Sequence, residues 1–263
     1  MPPISANERW AAWVDSVSFS IFALISSFVI FVFFVGDVLM SARLLLIGAL
    51  AMVDRFHRRH ASFDPNYQPA VAVLIPAYNE EKVIEQTVRS VLASDYPRLR
   101  AIVIDDGSKD STLEVAREAF KNEIAAGRVT VLTKPNSGKA DALNYGLEHV
   151  NEELFVGIDA DTIIAPDAIA KLVAHFSDPR VGAMAGNAKV GNRVNLWTRW
   201  QALEYITSQN FERRALNILD AVSVVPGAIG AWRTAAVREA GCYHHDTVAE
   251  DADLTMADRK SVV

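Results

Sequence analysis

From Ser16 to Gly36 the chain runs for 21 residues without a charge, a stretch that includes VSFSIFALISSFVIFVFFVG. That is long enough to cross a bilayer core about 30 Å thick. A buried helix in a domain of this size is not apolar on every face. A signal peptide begins basic, which MPPISANERWAAWVD does not. A membrane span is therefore expected. A second apolar run, LLLIGALAMV (Leu44–Val53), is short by itself but becomes long enough when counted from Val38, with Arg43 as its costly member. Residues 16–53 are thus read as one transmembrane helix or two. DRFHRRH follows, with Arg55, Arg58 and Arg59 against Arg9 alone before the first run. The positive-inside rule then places the rest of the chain in the cytoplasm, on a cell (inner or plasma) membrane.

Residues 54–69, which include ASFDPNYQP, read as a polar cytoplasmic linker. After it the pattern alternates. AVAVLI (70–75), RAIVI (100–104), VTVL (129–132) and LFVGI (154–158) are short apolar runs that predict strands. Between them lie helical spacings: 80–94 with Val83, Ile84, Val88, Val91 and Leu92 in phase, a helix opened by a Ser111/Glu114 capping box, and 139–149. Pro166 suits the first turn of another helix. Strands alternating with helices predict an α/β domain, a mostly parallel sheet with helices on both faces, over 70–257. After residue 190 the rhythm breaks into a long helical stretch, 196–219, then AVSVVPGAIGAW and a short helix.

Composition narrows this further. The chain has 263 residues and 51% hydrophobic content, an excess that sits in the N-terminal runs. A net charge of −6 gives no footprint for nucleic acid. The single cysteine, Cys242, cannot form an internal disulfide and reads as a small packing residue.

The polar residues fall at strand ends. PAYNE follows the first strand, DDGSKD the second and DAD the fourth. Each alone could be turn chemistry, but in a parallel sheet all carboxyl ends share one edge, where open α/β folds bind ligands. A dinucleotide site is not supported, because no GxGxxG follows the first strand. NSGKADA is not a phosphate-binding P-loop either, since Ala140 stands where Ser or Thr is needed. Asp159 and Asp161, two apart on an extended segment, would project to one side as a hard-oxygen site for Mg²⁺ or Mn²⁺. Such an ion takes one or two carboxylates and completes its shell with water and substrate phosphates.

VLIPAYNEEKVI, VIDDGSKDST, NSGKADALNYGL, DADT and VAEDADLT together resemble the processive family 2 glycosyltransferases, the chitin, poly-N-acetylglucosamine, hyaluronan and cellulose synthase group. The resemblance runs from Val71 to Met256, and WQALEYITSQNFERRA is most similar to the poly-N-acetylglucosamine and chitooligosaccharide synthase-like members. It implies a GT-A fold, a UDP-sugar donor (N-acetylglucosamine foremost), a growing β-linked glycan as acceptor, and inversion at the anomeric carbon. On that analogy Ala77, Tyr78 and Glu80 line the nucleotide pocket, Asp106 binds uracil and Lys139 sits by the diphosphate. Asp159 and Asp161 hold Mg²⁺ or Mn²⁺ and the diphosphate, Asp161 more directly. Asp251, beside Glu250 in VAED, is the general base, and Gly227 and Ala228 of VPGAIGAW meet the acceptor.

Other residues are weaker leads. Arg213 and Arg214 could meet diphosphate or lipid headgroups, or be a solvated helix face. His244, His245 and Asp246 are adjacent residues that point apart rather than a metal site. Trp197 and Trp200 read as core or membrane-interface residues before sugar stackers. The family's Gln-x-x-Arg-Trp motif and later spans are absent from the sequence. The closing DRKSVV matches the in-frame translation of a common sequencing adapter, so residues 258–263 are expected to be adapter-derived and the natural protein to continue. Two other functions share the donor motifs: a single transfer to a lipid carrier, and nucleotide-sugar binding without catalysis.

Overall fold

Every residue of the first strand but one is buried, which is what a strand in the middle of a two-faced sheet requires. The computed structural model describes residues 5–57, 63–189, 191, 194–207, 212–219, 224–244 and 254. Arg58, Arg59, His245, Asp246, Glu250, Asp251 and the closing hexapeptide 258–263 lie outside them.

Four parallel strands form the body of the sheet: β1 (Val71–Ala77), β2 (Leu99–Asp105), β3 (Val129–Thr133) and β4 (Leu154–Ile158). Two further strands, β5 (Ala183–Ala185) and β6 (Ile229–Arg233), extend it, with β6 antiparallel to both β4 and β5. The order is β3-β2-β1-β4-β6-β5. The mostly parallel α/β architecture is as the pattern predicts. The antiparallel pair is an addition that the sequence pattern does not show.

Alternation along β1 separates two cores. Val71, Val73 and Ile75 face one layer with Ile84, Val88 and Val91 of α2 (Ile84–Leu92), Phe120 and Ile169. Ala72 and Leu74 face the other with Ala142, Leu143 and Leu147 of α5 (Lys139–Glu148), Trp232 and Leu254. Helices therefore cover both faces. Connecting them, α3 spans Thr112–Ala119, α4 Lys121–Ala125 and α6 Ala168–Val173. Beyond the sheet come α7 (Leu196–Ile206), α8 (Arg213–Ile218) and α9 (Thr234–Glu239).

Local chemistry corrects several expectations. Ser111 makes no side-chain cap. Its N–H is taken by Glu81 Oε2 at 3.0 Å, and Asp110 Oδ1 accepts from Thr112 N–H at 3.0 Å instead, so the cap is set one residue earlier. Pro166 does not start α6; its carbonyl accepts from Asp95 N–H and Ser94 Oγ, which fixes it in a turn. The capping box belongs to α7, between Asn195 and Thr198. The expected helix over 196–219 is described as two pieces, α7 and α8.

The N-terminal apolar region forms one continuous helix, α1 (Ala6–His57), rather than two. It includes the first residues assigned to the linker. At 52 residues it is roughly 78 Å long. Its apolar part, Arg9–Val53, is long and apolar enough to cross a membrane, by length and composition. The rest of the linker is tied down. Asp64 N–H bonds to Ala174 O, the Tyr67 hydroxyl to Glu153 Oε1 at 2.7 Å, and the Tyr96 hydroxyl to Pro69 O. A partly desolvated Tyr67 phenol beside the Glu153 carboxylate titrates above its ordinary value.

Candidate active site

The loops after β1 and β2 are stitched together before any ligand is considered. Asn79 adopts a left-handed φ of 58°, a conformation its short polar side chain tolerates. This aims its Oδ1 at the Lys109 N–H (2.8 Å) and its own N–H at Ser108 Oγ (3.0 Å). Glu80 N–H donates to Thr112 Oγ1 and Glu81 N–H to Asp110 Oδ2. Those bonds hold Asp110 below the usual carboxylate range: its desolvation, which acts upward, is outweighed by donors from Thr112 and Glu81.

Two buried aspartates close the end of β2. Asp105, 2% exposed, accepts from Ser108 N–H and Thr133 Oγ1. Asp106, 4% exposed, is met by Lys134 Nζ at 2.8 Å and by the N–H groups of Ser137 (3.1 Å) and Gly138 (2.8 Å). The segment 134–138 is therefore wrapped onto one carboxylate. Between the two loops Gly107 has φ +69°, and a Cβ there would stand 2.7 Å from Asn136 N. Only glycine lets the backbones approach so closely.

At the end of β4 the expected extended Asp-x-Asp is a turn. β4 ends at Ile158, and Thr162 N–H donates to Asp159 O at 3.0 Å. The two carboxylates thus owe their placement to a corner, not to strand alternation. That corner is pinned by Thr87 of α2, whose buried hydroxyl donates to Ala160 O at 2.6 Å, and by Ile164 N–H to Ser90 Oγ. Asp159 pairs with Lys139 Nζ at 2.8 Å, both about one-third exposed, while Asp161 is exposed. Glu80 faces them. Burial raises its carboxyl above the usual range, and the charges of Asp161, Asp110 and Asp159 raise it further.

The result is one cleft of about 310 Å³ at the carboxyl edge of the sheet, lined by Ala77, Tyr78, Glu80, Asp106, Lys139, Asp159 and Asp161 with Pro76, Ala142 and Ala160. Every nucleotide- and metal-site residue expected from the sequence is on that wall. Gly227 lines a separate recess of about 10 Å³ on the other flank of Lys139, beside Val225, Trp232 and Tyr243; Ala228, next in the chain, is half-buried. The recess has room for about one water, not a sugar. Arg213 is not in the cleft; it is half-buried, donates to Gly186 O, and its guanidinium pKa is lowered by that burial. Glu250 and Asp251 lie outside the described residues. Leu254, three positions on from Asp251, is buried in the cluster that holds Leu143, Val225, Trp232 and Tyr243.

Sequence reading missed the positioning residues: Thr87, Thr112, Asp110 and Lys134. Their signal is weak, since each acts through a partner 28 to 73 positions away. Among the described residues no group of three or more His, Cys, Asp or Glu forms a metal cage. The donor set still suits a hard divalent ion. Asp159, Asp161 and Glu80 crowd negative charge at one end of the cleft, and Mg²⁺ or Mn²⁺ uses few protein ligands when a diphosphate supplies the others.

Comparison with known proteins agrees with this geometry. The model of glycosyl transferase family 2 matches residues 72–241. Poly-beta-1,6-N-acetyl-D-glucosamine synthase of Staphylococcus epidermidis is 31% identical over 182 residues, 69% of this chain and 43% of that protein. The same synthase of Staphylococcus aureus strain N315 matches with the same identity and coverage. The chain thus spans less than half the length of these curated relatives. Among solved structures, a mannosyltransferase from Pyrobaculum calidifontis in complex with GDP-Man and Mn²⁺ superposes with a TM-score of 0.65 at 24% identity, covering 86% of this chain and 64% of that one. S. aureus TarS 1–349 in complex with UDP-GlcNAc superposes at 0.54 and 21%, covering 72% and 53%. These likenesses establish the GT-A fold. A sheet of this order, with its polar loops gathered at one edge and a family model matched across the whole of it, means that the chain belongs to glycosyl transferase family 2.

Proposed function

We propose that this chain carries the donor site of a membrane-bound inverting glycosyltransferase that adds a sugar from a UDP-sugar, N-acetylglucosamine foremost, to a growing β-linked polysaccharide. The observation that carries the reading is the single cleft in which Tyr78, Asp106, Lys139, Asp159 and Asp161 converge from four separate segments. The match to poly-beta-1,6-N-acetyl-D-glucosamine synthases, and a fold shared with a protein solved with UDP-GlcNAc, support that donor.

In this reading Ala77 and Tyr78 receive the nucleoside and Asp106 the uracil, held still by its bonds to Lys134, Ser137 and Gly138. Lys139 turns from Asp159 toward the diphosphate. Asp161, with Asp159, would hold Mg²⁺ or Mn²⁺, which supplies positive charge for the departing diphosphate. Asp251, next to Glu250, takes the proton of the attacking sugar hydroxyl, a step that needs a carboxylate within hydrogen-bond reach. Inversion is one displacement, so no covalent enzyme nucleophile is required. α1 anchors the domain in the membrane, with the cleft on the cytoplasmic side as the Arg55–Arg59 cluster indicates.

The test is a panel of radiolabelled UDP-sugars offered to membranes that carry the gene, with the product digested by linkage-specific glycosidases. Label from UDP-N-acetylglucosamine is expected in a polymer. Label confined to an extractable lipid would establish the single-transfer alternative instead, and UDP binding without any transfer would remove the catalytic reading.

A further inference from the structure

Trp232 is 2% exposed, and among the described residues its indole Nε1–H has no hydrogen-bond partner. Buried indole N–H groups ordinarily find an acceptor, because burial takes away the water that would otherwise meet them. The buried side chains of Thr87, Asp105, Asp106, Thr112, Asp178 and Thr234 all follow that rule. Trp232 departs from it.

The N–H faces a gap that the sheet itself makes. Gly157 of β4 and Gly230 of β6 are directly paired, so the sheet is bare backbone at that point. Alternation turns this patch toward the layer of Phe155 and Trp232, which lie two positions away along the two strands. A Cβ built on Gly230 would stand 3.2 Å from Trp232 Nε1, whereas one on Gly157 would meet nothing within 4 Å. The gap is the recess of about 10 Å³ beside Lys139. Pro76 and Lys139 line both it and the cleft, and Asp159 follows Gly157 by two residues. The recess thus adjoins the diphosphate end of the proposed donor site, and its volume admits one oxygen-sized group.

Chemistry selects the group. The Trp232 N–H and the Lys139 ammonium can only donate, so the matching oxygen is one that only accepts, a carbonyl. A sugar hydroxyl in the same place would bring a proton that needs an acceptor of its own. In N-acetylglucosamine the acetamido group sits on the carbon next to the one that carries the diphosphate, and it holds the sugar's only carbonyl.

We propose that Trp232, through its indole N–H and the recess over Gly157, reads the carbonyl oxygen of the donor's acetamido group and so sets a preference for N-acetylglucosamine over glucose. The inference rests on the donor-site reading above, and its test separates the two. The full chain in lipid nanodiscs is titrated calorimetrically with UDP, UDP-glucose and UDP-N-acetylglucosamine. Two variants are compared with the parent. Gly157→Ala puts a methyl group into the recess without a clash. Trp232→benzothienylalanine, with sulfur in place of the N–H, keeps the shape of the ring and removes the donor. The parent is expected to bind UDP-N-acetylglucosamine about tenfold more tightly than UDP-glucose, the effect of one hydrogen bond otherwise left unmade. Both variants should lose that preference while binding UDP as the parent does. No preference in the parent, or a preference kept in either variant, would overturn the proposal and leave the UDP site standing. A fall in UDP affinity as large as that for UDP-N-acetylglucosamine would make the role of these residues structural and overturn it as well. Failure of the parent to bind UDP would remove the donor-site reading and the proposal together.

Discussion

The hydroxyl of Thr87 donates to the carbonyl of Ala160 at 2.6 Å, from a helix on one face of the sheet to the residue between the two cleft aspartates. Both groups are buried, so the bond has no water to replace it. Thr87→Val keeps the shape and leaves the carbonyl unpaired, which costs about 1–3 kcal/mol. We expect a lower melting temperature and weaker UDP binding in Mn²⁺, both largely restored in Thr87→Ser.

Among the described residues Lys139 is the one cation that lines the cleft, where it pairs with Asp159. In Lys139→Met the diphosphate loses a charge-assisted contact worth about 1.5–3 kcal/mol, so UDP affinity should fall about tenfold to a hundredfold. Calorimetric titration with UDP checks this. Uridine, which has no phosphate, should bind the variant as it binds the parent.

Asp161 is exposed and adds to the negative charge around Glu80. Asp161→Ala should therefore leave stability unchanged to within about 0.5 kcal/mol, as surface substitutions do. The same change should abolish the gain in UDP affinity that Mn²⁺ gives the parent. Paired titrations with Mn²⁺ and with chelator read this directly.

Gly107 holds a left-handed φ against the backbone of Asn136. Alanine there incurs about 1–2 kcal/mol for the conformation alone, and the contact adds to it. Gly107→Ala should lower the denaturation midpoint in urea and weaken UDP binding, because the loops that carry Asp106 and Lys134 must part.

Away from the cleft, Arg100 forks onto Glu152 with bonds of 2.8 and 3.1 Å and also reaches His149 O. Glu152 titrates below its ordinary value: its burial acts upward but is outweighed by the Arg100 bonds. A depressed carboxylate stabilises the fold above its unfolded value, 4.5, and that contribution is lost as pH falls through the folded one. Glu152→Gln should cost about 1–2 kcal/mol at neutral pH. The difference in melting temperature from the parent should shrink progressively in acid.

Periodicity was enough for β1 to β4, because each is a short apolar run between polar turns and all but the edge strand β3 are largely buried. The shared carboxyl edge followed from parallel pairing, and the family resemblance supplied Ala77, Tyr78, Glu80, Asp106, Lys139, Asp159 and Asp161 on the cleft wall, while Pro76, Ala142 and Ala160 were not expected. β5 and β6 escaped. Ala183–Ala185 is too short to show a period, and Ile229–Arg233 follows Pro226 and Gly227 and itself contains Gly230, so it reads as a turn until Arg233, Trp232 and Ala231 are seen paired with β4. The cap of α3 and the turn at Asp159 were misplaced for a related reason. Asp110 outcompetes Ser111 because Glu81 has arrived from another loop, and the corner at Ala160 is held by a threonine 73 positions earlier. Both are decided by tertiary partners that spacing does not reveal.

The strap from Lys134 to Lys139 has a consequence for how the cleft fits its contents. Its first residue is bound to Asp106 and its last to Asp159, both on the cleft wall, with Ser137 and Gly138 also fastened to Asp106. In the proposed donor site the two ends of this six-residue segment would serve the two halves of one ligand, the base at Asp106 and the diphosphate at Lys139, so the spacing between base and phosphate would be set by a single short stretch of backbone.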